Sequence, residues 1–466
     1  MVGKYFSSTR EEIQRLYKSV LTKGSFAQNF AFTFSGKAIG ILSQLIFAPI
    51  IARIYGPEAY GVYAVFNALA TNLALVSTLR LEGALVLPKE EEEFQQLLKT
   101  VFLISFIFSL LISTASLIGK DVLIYLLRAE GVGDLFYALG PFVFLICAFQ
   151  ITGNWAIRKK AFKDAFHYGV PIGIGVKAFN VLYGFLTKGA SHGLILADAV
   201  MRVASLFIRF KFILKSGTSF LSTPLDWTLL KKIVKKYKQF PLFDMPGNWI
   251  NMFSNQLPIY MLTLSFGANP VGQFGFAISL LDMPMGMLGN TIAPVFLQKV
   301  TETFHKDPKD IGRITTELYK KLLFVGVLPF AFITVFGDVI FKLIFGQSWV
   351  QAGVFTGYLG FFYLFRLISA PMTSIFVILN KQNKFIYFNL FLLIGRAVTL
   401  TLGLFLLKDV IWAVLLFSIF NSIAYLLLSI WILKLVKAQV FSLTFKTFVI
   451  ISVTFIALYI IKSLII

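Results

Sequence analysis

Residues 25–88 read SFAQNFAFTFSGKAIGILSQLIFAPIIARIYGPEAYGVYAVFNALATNLALVSTLRLEGALVLP. The stretch predicts two long apolar helices, about 25–54 and 59–87, joined by the tight turn Tyr55-Gly56-Pro57-Glu58. Each run exceeds the ~20 residues that a helix needs to cross the hydrocarbon core. Backbone polar groups find no water at that depth, so they are satisfied inside the segment, and helix is the form such a run takes. Lys37 lies mid-run in the first helix; Arg80 and Glu82 lie near the far end of the second.

The pattern returns 211 positions later. Tyr55-Gly56 with Gly61-Val62-Tyr63 is matched by Phe266-Gly267 with Gly272-Gln273-Phe274. The same register sets Asn248 opposite Lys37 and Asn255 opposite Gln44. A duplicated lobe is expected, and internal repeats in a membrane protein point to a transporter.

The composition supports this reading. Over 466 residues the chain is 57% hydrophobic and only 14% charged, with a mean hydropathy of +0.79. Soluble domains are nearer ~25% charged. A polytopic, all-α membrane protein of about 12–14 transmembrane helices is predicted. The polar start of the chain has no signal-peptide pattern, so the first span is expected to act as an uncleaved insertion signal. The lone Cys147 excludes an intrachain disulfide and a cysteine metal cage. No metal site is expected.

Apolar runs fall at about 25–54, 59–87, 97–118, 135–156, 168–187, 192–213, 241–265, 271–297, 318–337, 351–379, 385–407, 410–433 and 446–464. The gaps between them alternate in charge. One set, counted with the N-terminal segment, holds roughly 30 Lys and Arg; the other holds about 6. That asymmetry places the N-terminus and the rich loops in the cytoplasm. It also explains the net charge of +21 without a nucleic-acid partner. The expected organisation is a cytoplasmic segment 1–24, an N-lobe 25–213, a basic linker 214–239, a C-lobe 240–433 and a tail 434–466 with an extra span. Thirteen spans put the C-terminus outside. Leu229, Leu230, Ile233 and Val234 stand among lysines in the linker, which predicts an amphipathic surface helix on anionic membrane lipids. The outward loops are all too short for an extracellular domain.

An ionised group at the bilayer centre costs about 2.5–3.5 kcal/mol even on a lenient scale, so such groups usually face a cavity or a partner. The basic ones singled out for a cavity are Lys37, Arg80, Lys177, Arg202, Arg366 and Arg396; the acidic ones are Glu82, Asp198, Asp244 and Asp282. Asp198 and Arg202 are four apart and share a helix face, where a structural ion pair competes with a site. Lys37, Lys177, Arg366 and Arg396 have no acid three or four residues away. Asp244, Asn248, Asn251 and Asn255 form a polar stripe at helical spacing, matched in the repeat by the Lys37–Gly40–Gln44 face of the related helix. Gln44, Asn248, Asn251 and Asn255 are thus expected to line a shared cavity. A net-positive cavity selects an anion, and guanidinium and ammonium groups bind phosphate well.

Several chemistries are excluded. No Gly-x-x-x-x-Gly-Lys-Ser/Thr loop and no His-Glu-x-x-His motif occur, and His167, His192 and His305 sit apart at loop edges. No catalytic group is expected, and energy is expected from a gradient, from the membrane potential or from consumption of product. A proton or a sodium ion taken up by Glu82, Asp198, Asp244 or Asp282 is a candidate coupling step.

The string Ile51-Ala52-Arg53-Ile54-Tyr55-Gly56-Pro57-Glu58-Ala59-Tyr60-Gly61-Val62-Tyr63 resembles the first turn of the Wzx-type polysaccharide flippases. These belong to the multidrug/oligosaccharidyl-lipid/polysaccharide (MOP) exporter superfamily. Leu79-Arg80-Leu81-Glu82, the segment Trp155 to Lys163, the stretch from Phe240-Pro241 to Phe274, and Phe345-Gly346-Gln347-Ser348-Trp349 are similar to later motifs of that family, in the same order. The resemblance covers about residues 20–435. It implies two pseudo-symmetric six-helix lobes in a V shape like the MATE transporters, around a central cationic cavity. It implies a flippase of the cytoplasmic (inner) membrane that moves undecaprenyl-diphosphate-linked oligosaccharide to the outer leaflet by alternating access. The product would serve O-antigen, capsule or exopolysaccharide synthesis, with a polymerase and a chain-length regulator as partners. Two alternatives stand beside it: an ion-coupled drug or small-solute antiporter on the same scaffold, and a membrane glycan polymerase or ligase. The cationic interior opposes the first, and the short, His-poor outward loops oppose the second.

Overall fold

The computed structural model describes residues 26–127, 130–215 and 227–465. The expected segment 1–24 and residues 216–226 of the linker lie outside the described residues. Among the described residues every regular element is helical.

The run Phe26–Ser77 breaks at Gly56 (φ 67°, ψ 173°) into α1 (26–55) and α2 (57–77). Gly56 takes a left-handed φ that side chains resist, and Pro57 starts the next helix where no N–H is needed. The N-lobe continues with α3 (Glu91–Leu127), α4 (Leu139–Arg158), α5 (Phe162–Leu186) and α6 (His192–Lys215). A short α7 (Trp227–Lys236) leads to the C-lobe: α8 (Met245–Phe266), α9 (Ala268–Lys306), α10 (Ile311–Phe345), α11 (Val350–Met372), α12 (Ser374–Ile378), α13 (Gln382–Thr401) and α14 (Val410–Leu435). The last helix, α15 (Val440–Ile465), rests on α10 and α14.

The chain is a multi-pass membrane protein. Nine described helices are long and apolar enough to cross a membrane, and the first of them is the broken pair α1–α2. The helices α6, α8 and α9 match them in length but carry more polar residues. Helices also outrun their apolar cores: α3 starts in the acidic run at Glu91, and α9 continues to Lys306.

The duplication is visible in the backbone. Gly267, 211 positions after Gly56, repeats its conformation (φ 76°, ψ −165°) between α8 and α9. Beyond these turns, α2 and α9 cross with their backbones touching. A side-chain carbon on Gly61 would meet Ala268, and one on Gly272 would meet Pro57, which are equivalent positions in the two halves. The lobes are therefore related about an axis through this contact.

Short turns make neighbouring helices antiparallel, so loops gather at two ends of the bundle. Gly56, Gly267 and Gly346 mark a lysine-poor end. The loops at 159–161, 307–310 and 436–439, together with α7, mark a lysine-rich end.

Two details refine the sequence reading. The second span does not run to residue 87. It stops at Ser77, turns through Leu79 (φ 52°) and Arg80 (φ 59°), and resumes as the 3-10 turn Leu81–Val86. Left-handed backbone at non-glycine residues costs roughly 1–3 kcal/mol each, so tertiary contacts must hold it. They do: Leu81, Ala84 and Leu85 are fully buried. Helix α7 forms as expected, and Ile233 on its apolar side is buried against protein. Ile233 and Tyr237 pack with Leu97, Leu98, Val101, Trp155 and Ile213, and Lys236 and Tyr237 both reach Glu93 (2.5 and 2.9 Å). The ends of the N-lobe helices thus cover part of its apolar side. Burial and the Glu93 carboxylate push the Tyr237 hydroxyl up to about 12.

The thirteenth span is formed. Tyr319 and Thr447 share a hydrogen bond of 3.0 Å, and Lys462 binds Asp338 Oδ1 at 2.8 Å and the Val335 carbonyl at 2.7 Å.

Candidate functional site

The lobes meet in two different ways. Near the lysine-poor end the closure is backbone and aromatic. Trp349, fully buried, donates its indole N–H to the Ala52 carbonyl at 2.9 Å. Its ring lies 4.3 Å from Phe276 and 5.1 Å from Tyr60. Toward the lysine-rich end the closure is polar and joins α2 to α8. Asn72 donates to Gln256 and, at 2.9 Å, to the Tyr260 hydroxyl; Gln256 donates to Thr71 at 3.0 Å. Beyond them Arg80 Nε meets Asp244 Oδ2 at 3.0 Å, while its Nη1 meets Glu82 Oε1 at 3.2 Å. The left-handed turn at Leu79 and Arg80 is what aims this guanidinium across the gap.

Between the two closures lies a cavity of about 300 Å³. Helices α1, α2, α5 and α6 form three sides, and α9 closes it with Phe276, Ser279 and Leu280. Its polar lining includes Gln44, Lys177, Asn180, Asp198, Arg202 and Tyr63. Arg202 Nη2 donates to Asp198 Oδ2 at 3.1 Å, the pair expected from their spacing of four. The Tyr63 hydroxyl donates to the same carboxylate oxygen at 3.4 Å. Lys177 makes no ion pair among the described residues. The Asn180 side-chain oxygen is buried without a partner among them. One carboxylate against two cations leaves the cavity net positive.

Two of the six singled-out cations, Lys177 and Arg202, line this cavity, together with Gln44 and Asp198. The others lie elsewhere. Lys37 is exposed on α1. Arg80 is in the bridge with Glu82 and Asp244. Arg366, on α11, is paired with Asp282 on α9 at 3.0 Å. Arg396, on α13, is only 1% exposed and sits among neutral groups. It donates to Asn421 Oδ1 (2.8 Å), Ser254 Oγ (2.9 Å) and Asn255 Oδ1 (3.0 Å). The stripe on α8 thus serves several purposes: Asn255 holds Arg396, Asn251 reaches Asn389 at 3.5 Å, and Asn248 caps back onto the Asp244 carbonyl at 2.7 Å. The pairs Arg366–Asp282 and Arg80–Asp244 join residues 84 and 164 positions apart, beyond the reach of a helical-spacing argument.

Sequence reasoning missed Arg209. Its guanidinium stacks 3.7 Å over Phe149 and donates to the Phe149 carbonyl and to Thr152, both at 3.2 Å. Its spacing of seven from Arg202 was the available signal. The bridge group Asn72, Gln256 and Tyr260 was also missed, since single polar residues in apolar helices carry no spacing signal.

Truncating Arg396 removes the donor to three neutral acceptors, and each buried group left unsatisfied costs about 1–3 kcal/mol. Arg396→Ala is therefore expected to lower the unfolding temperature of the detergent-purified protein by several degrees. Thermal scanning fluorimetry measures it. An unchanged temperature would show that the Asn421, Ser254 and Asn255 cage does not depend on the guanidinium.

Against this architecture, a family described as polysaccharide biosynthesis protein matches residues 50–354. The chain belongs to that family. No curated protein matches the sequence. Among solved structures, this polysaccharide biosynthesis protein is similar to the lipid II flippase MurJ in an inward closed conformation. The TM-score is 0.67 at 14% identity, covering 94% of this chain and 98% of that one. It is also similar to an inward-facing multidrug-resistance MATE transporter of the MOP superfamily, with TM-score 0.64, 14% identity and coverage of 85% and 95%. A MOP superfamily transporter from Pyrococcus furiosus, described as having a binding pocket of reverse polarity, gives 0.55 at 16% identity, covering 88% and 96%. At such identities the likeness speaks for the fold: two pseudo-symmetric lobes of the MOP type. The chain is thus a member of the polysaccharide biosynthesis family with the two-lobed fold of those structures.

Proposed function

We propose that the protein flips a polyprenyl-diphosphate-linked oligosaccharide from the inner to the outer leaflet of the cytoplasmic membrane, for the synthesis of a surface polysaccharide such as O-antigen or capsule. The observation that carries the reading is the net-positive cavity held between lobes that touch at both ends. A diphosphate is the anionic part of such a lipid, and Lys177 and Arg202 are the groups that would take it. The sugars would face the amides of Gln44 and Asn180, and the polyprenyl tail would stay in lipid. The family match and the MurJ-like fold support a lipid-linked substrate. The net charge opposes cationic drugs, for which the same fold would need free acids.

The lysine-rich end is assigned to the cytoplasm by the positive-inside rule, with the N-terminus on that side. Alternating access would then open the Arg80–Asp244 end to load and the Trp349 end to release. Asp198, Asp282, Asp244 and Glu82 are the acids that could exchange a proton or sodium ion during that cycle. A polysaccharide polymerase and its chain-length regulator would receive the product.

The test is where the lipid-linked units collect when the protein is missing. In depleted cells they are expected to accumulate in the inner leaflet, as read by an impermeant glycan-modifying reagent on sealed inside-out vesicles. Accumulation in the outer leaflet, unpolymerised, would instead make the protein a polymerase or ligase.

A further inference from the structure

We infer that the lysine-rich end of the C-lobe carries a binding site for the headgroup of an anionic phospholipid. This rests on the membrane orientation argued above and not on the transport activity. A recess of about 740 Å³ opens there between the start of α10, the short α12, the end of α14 and the turn into α15. Lys309, Lys320 and Lys437 stand around it, and Ile311, Leu379 and Leu435 form apolar walls. The size and the mixture suit a ligand with one charged part and one apolar part.

The charge is uncompensated. Arg313 also lines the recess, but Asp310 (2.5 Å) and Glu317 (2.7 Å) hold its guanidinium. The three lysines make no ion pair among the described residues. The recess is therefore cationic by the lysines alone, and a phosphodiester is the complement.

The turn that leads into the extra helix completes the site. Lys437 lies in the turn between α14 and α15, with φ 57°. A side-chain carbon on Gly312 would come within 2.6 Å of the Val436 carbonyl, so the start of α10 holds that turn closely. The turn is also tied to α14, through Lys437 N–H to the Lys434 carbonyl (3.1 Å) and Ala438 N–H to the Leu433 carbonyl (3.0 Å). The chain's own segment 1–24 is a poor occupant, because Lys4, Arg10, Arg15, Lys18 and Lys23 outnumber Glu11 and Glu12. At the level where α10, α14 and α15 meet the headgroup layer, the abundant anion is lipid, and each Lys near an anionic surface adds measurable attraction.

The experiment is native mass spectrometry of the full chain in detergent, titrated with phosphatidylglycerol or phosphatidylcholine. Phosphatidylglycerol is expected to bind about tenfold or more tightly than phosphatidylcholine. The triple variant Lys309→Gln, Lys320→Gln, Lys437→Gln is expected to lose that advantage while keeping its unfolding temperature in pure detergent. The control triple Lys231→Gln, Lys232→Gln, Lys235→Gln on α7 is expected to retain it. Undiminished phosphatidylglycerol binding in the first triple, or an equal loss in the control, would overturn the site. Displacement of the lipid by glycerol phosphate at the same concentration would reassign it to a soluble phosphate and overturn the lipid assignment.

Discussion

Lys177→Glu is expected to reduce transport of a lipid-linked diphosphate by about 100-fold or more, with little change in thermal stability. The exchange turns a cavity of two cations and one acid into one of two acids and one cation. Two unit charges about 5 Å apart at an effective dielectric of about 20 interact by about 3 kcal/mol, and reversal changes an attraction into a repulsion of like size. Each 1.4 kcal/mol or so is tenfold in affinity, so two powers of ten is the smaller expected effect. Lys177 donates no ion pair that the fold relies on among the described residues, so the protein should still assemble. Lys177→Arg keeps the charge and should keep most of the activity. The measurement is the rate at which a labelled lipid-linked glycan crosses the bilayer of proteoliposomes. Full activity in Lys177→Glu would remove the cavity from the substrate's path.

Gly272→Leu is expected to abolish transport and to lower the unfolding temperature by several degrees. A side-chain carbon at this position would lie 2.7 Å from the Pro57 carbonyl carbon and 2.8 Å from the Gly61 nitrogen. Both neighbours are backbone, so neither can rotate out of the way. Overpacking against side chains costs about 1–3 kcal/mol, and a clash with backbone on two helices should reach or pass the upper figure. Because the contact is reciprocal, Gly61→Leu should do the same: its added carbon would lie 2.6 Å from the Ala268 carbonyl carbon. Gly247→Ala, at a glycine with nothing within 4 Å, should be tolerated. Thermal scanning and the same transport assay separate the cases. A Gly272→Leu protein as stable and active as the parent would mean that α2 and α9 do not need to touch.

The fold was readable because its signals are local. Apolar runs long enough to span and the repeated Gly56 and Gly267 turns are properties of short windows, and both appear in the structure as expected. The charged groups were harder. Asp198 and Arg202 were linked in advance because four residues along a helix is a fixed geometry. Arg366 with Asp282, Arg80 with Asp244, and Arg396 in its cage of Asn421, Ser254 and Asn255 are decided by which helices become neighbours. Apolar composition says nothing about that choice, since any two lipid-soluble helices can pack. The docking of α7 was hidden for a related reason. An amphipathic stripe states that one face must be covered, but protein and lipid cover it equally well.

The contrast between the two closures has a thermodynamic consequence. Parting Tyr60 from Trp349 and Phe276 would wet aromatic surface, at about 25 cal/mol for each Å². Parting Asn72, Gln256, Tyr260, Arg80 and Asp244 would hand amides, a hydroxyl and an exposed ion pair to water, which replaces their bonds at a net loss of only about 0.5–1.5 kcal/mol apiece. The empty molecule is consequently biased to hinge open on its hydrophilic seam first. Swinging the other way needs an added driving force, and a bound cargo that neutralises the cavity, or an ion flowing down its gradient, is the natural source.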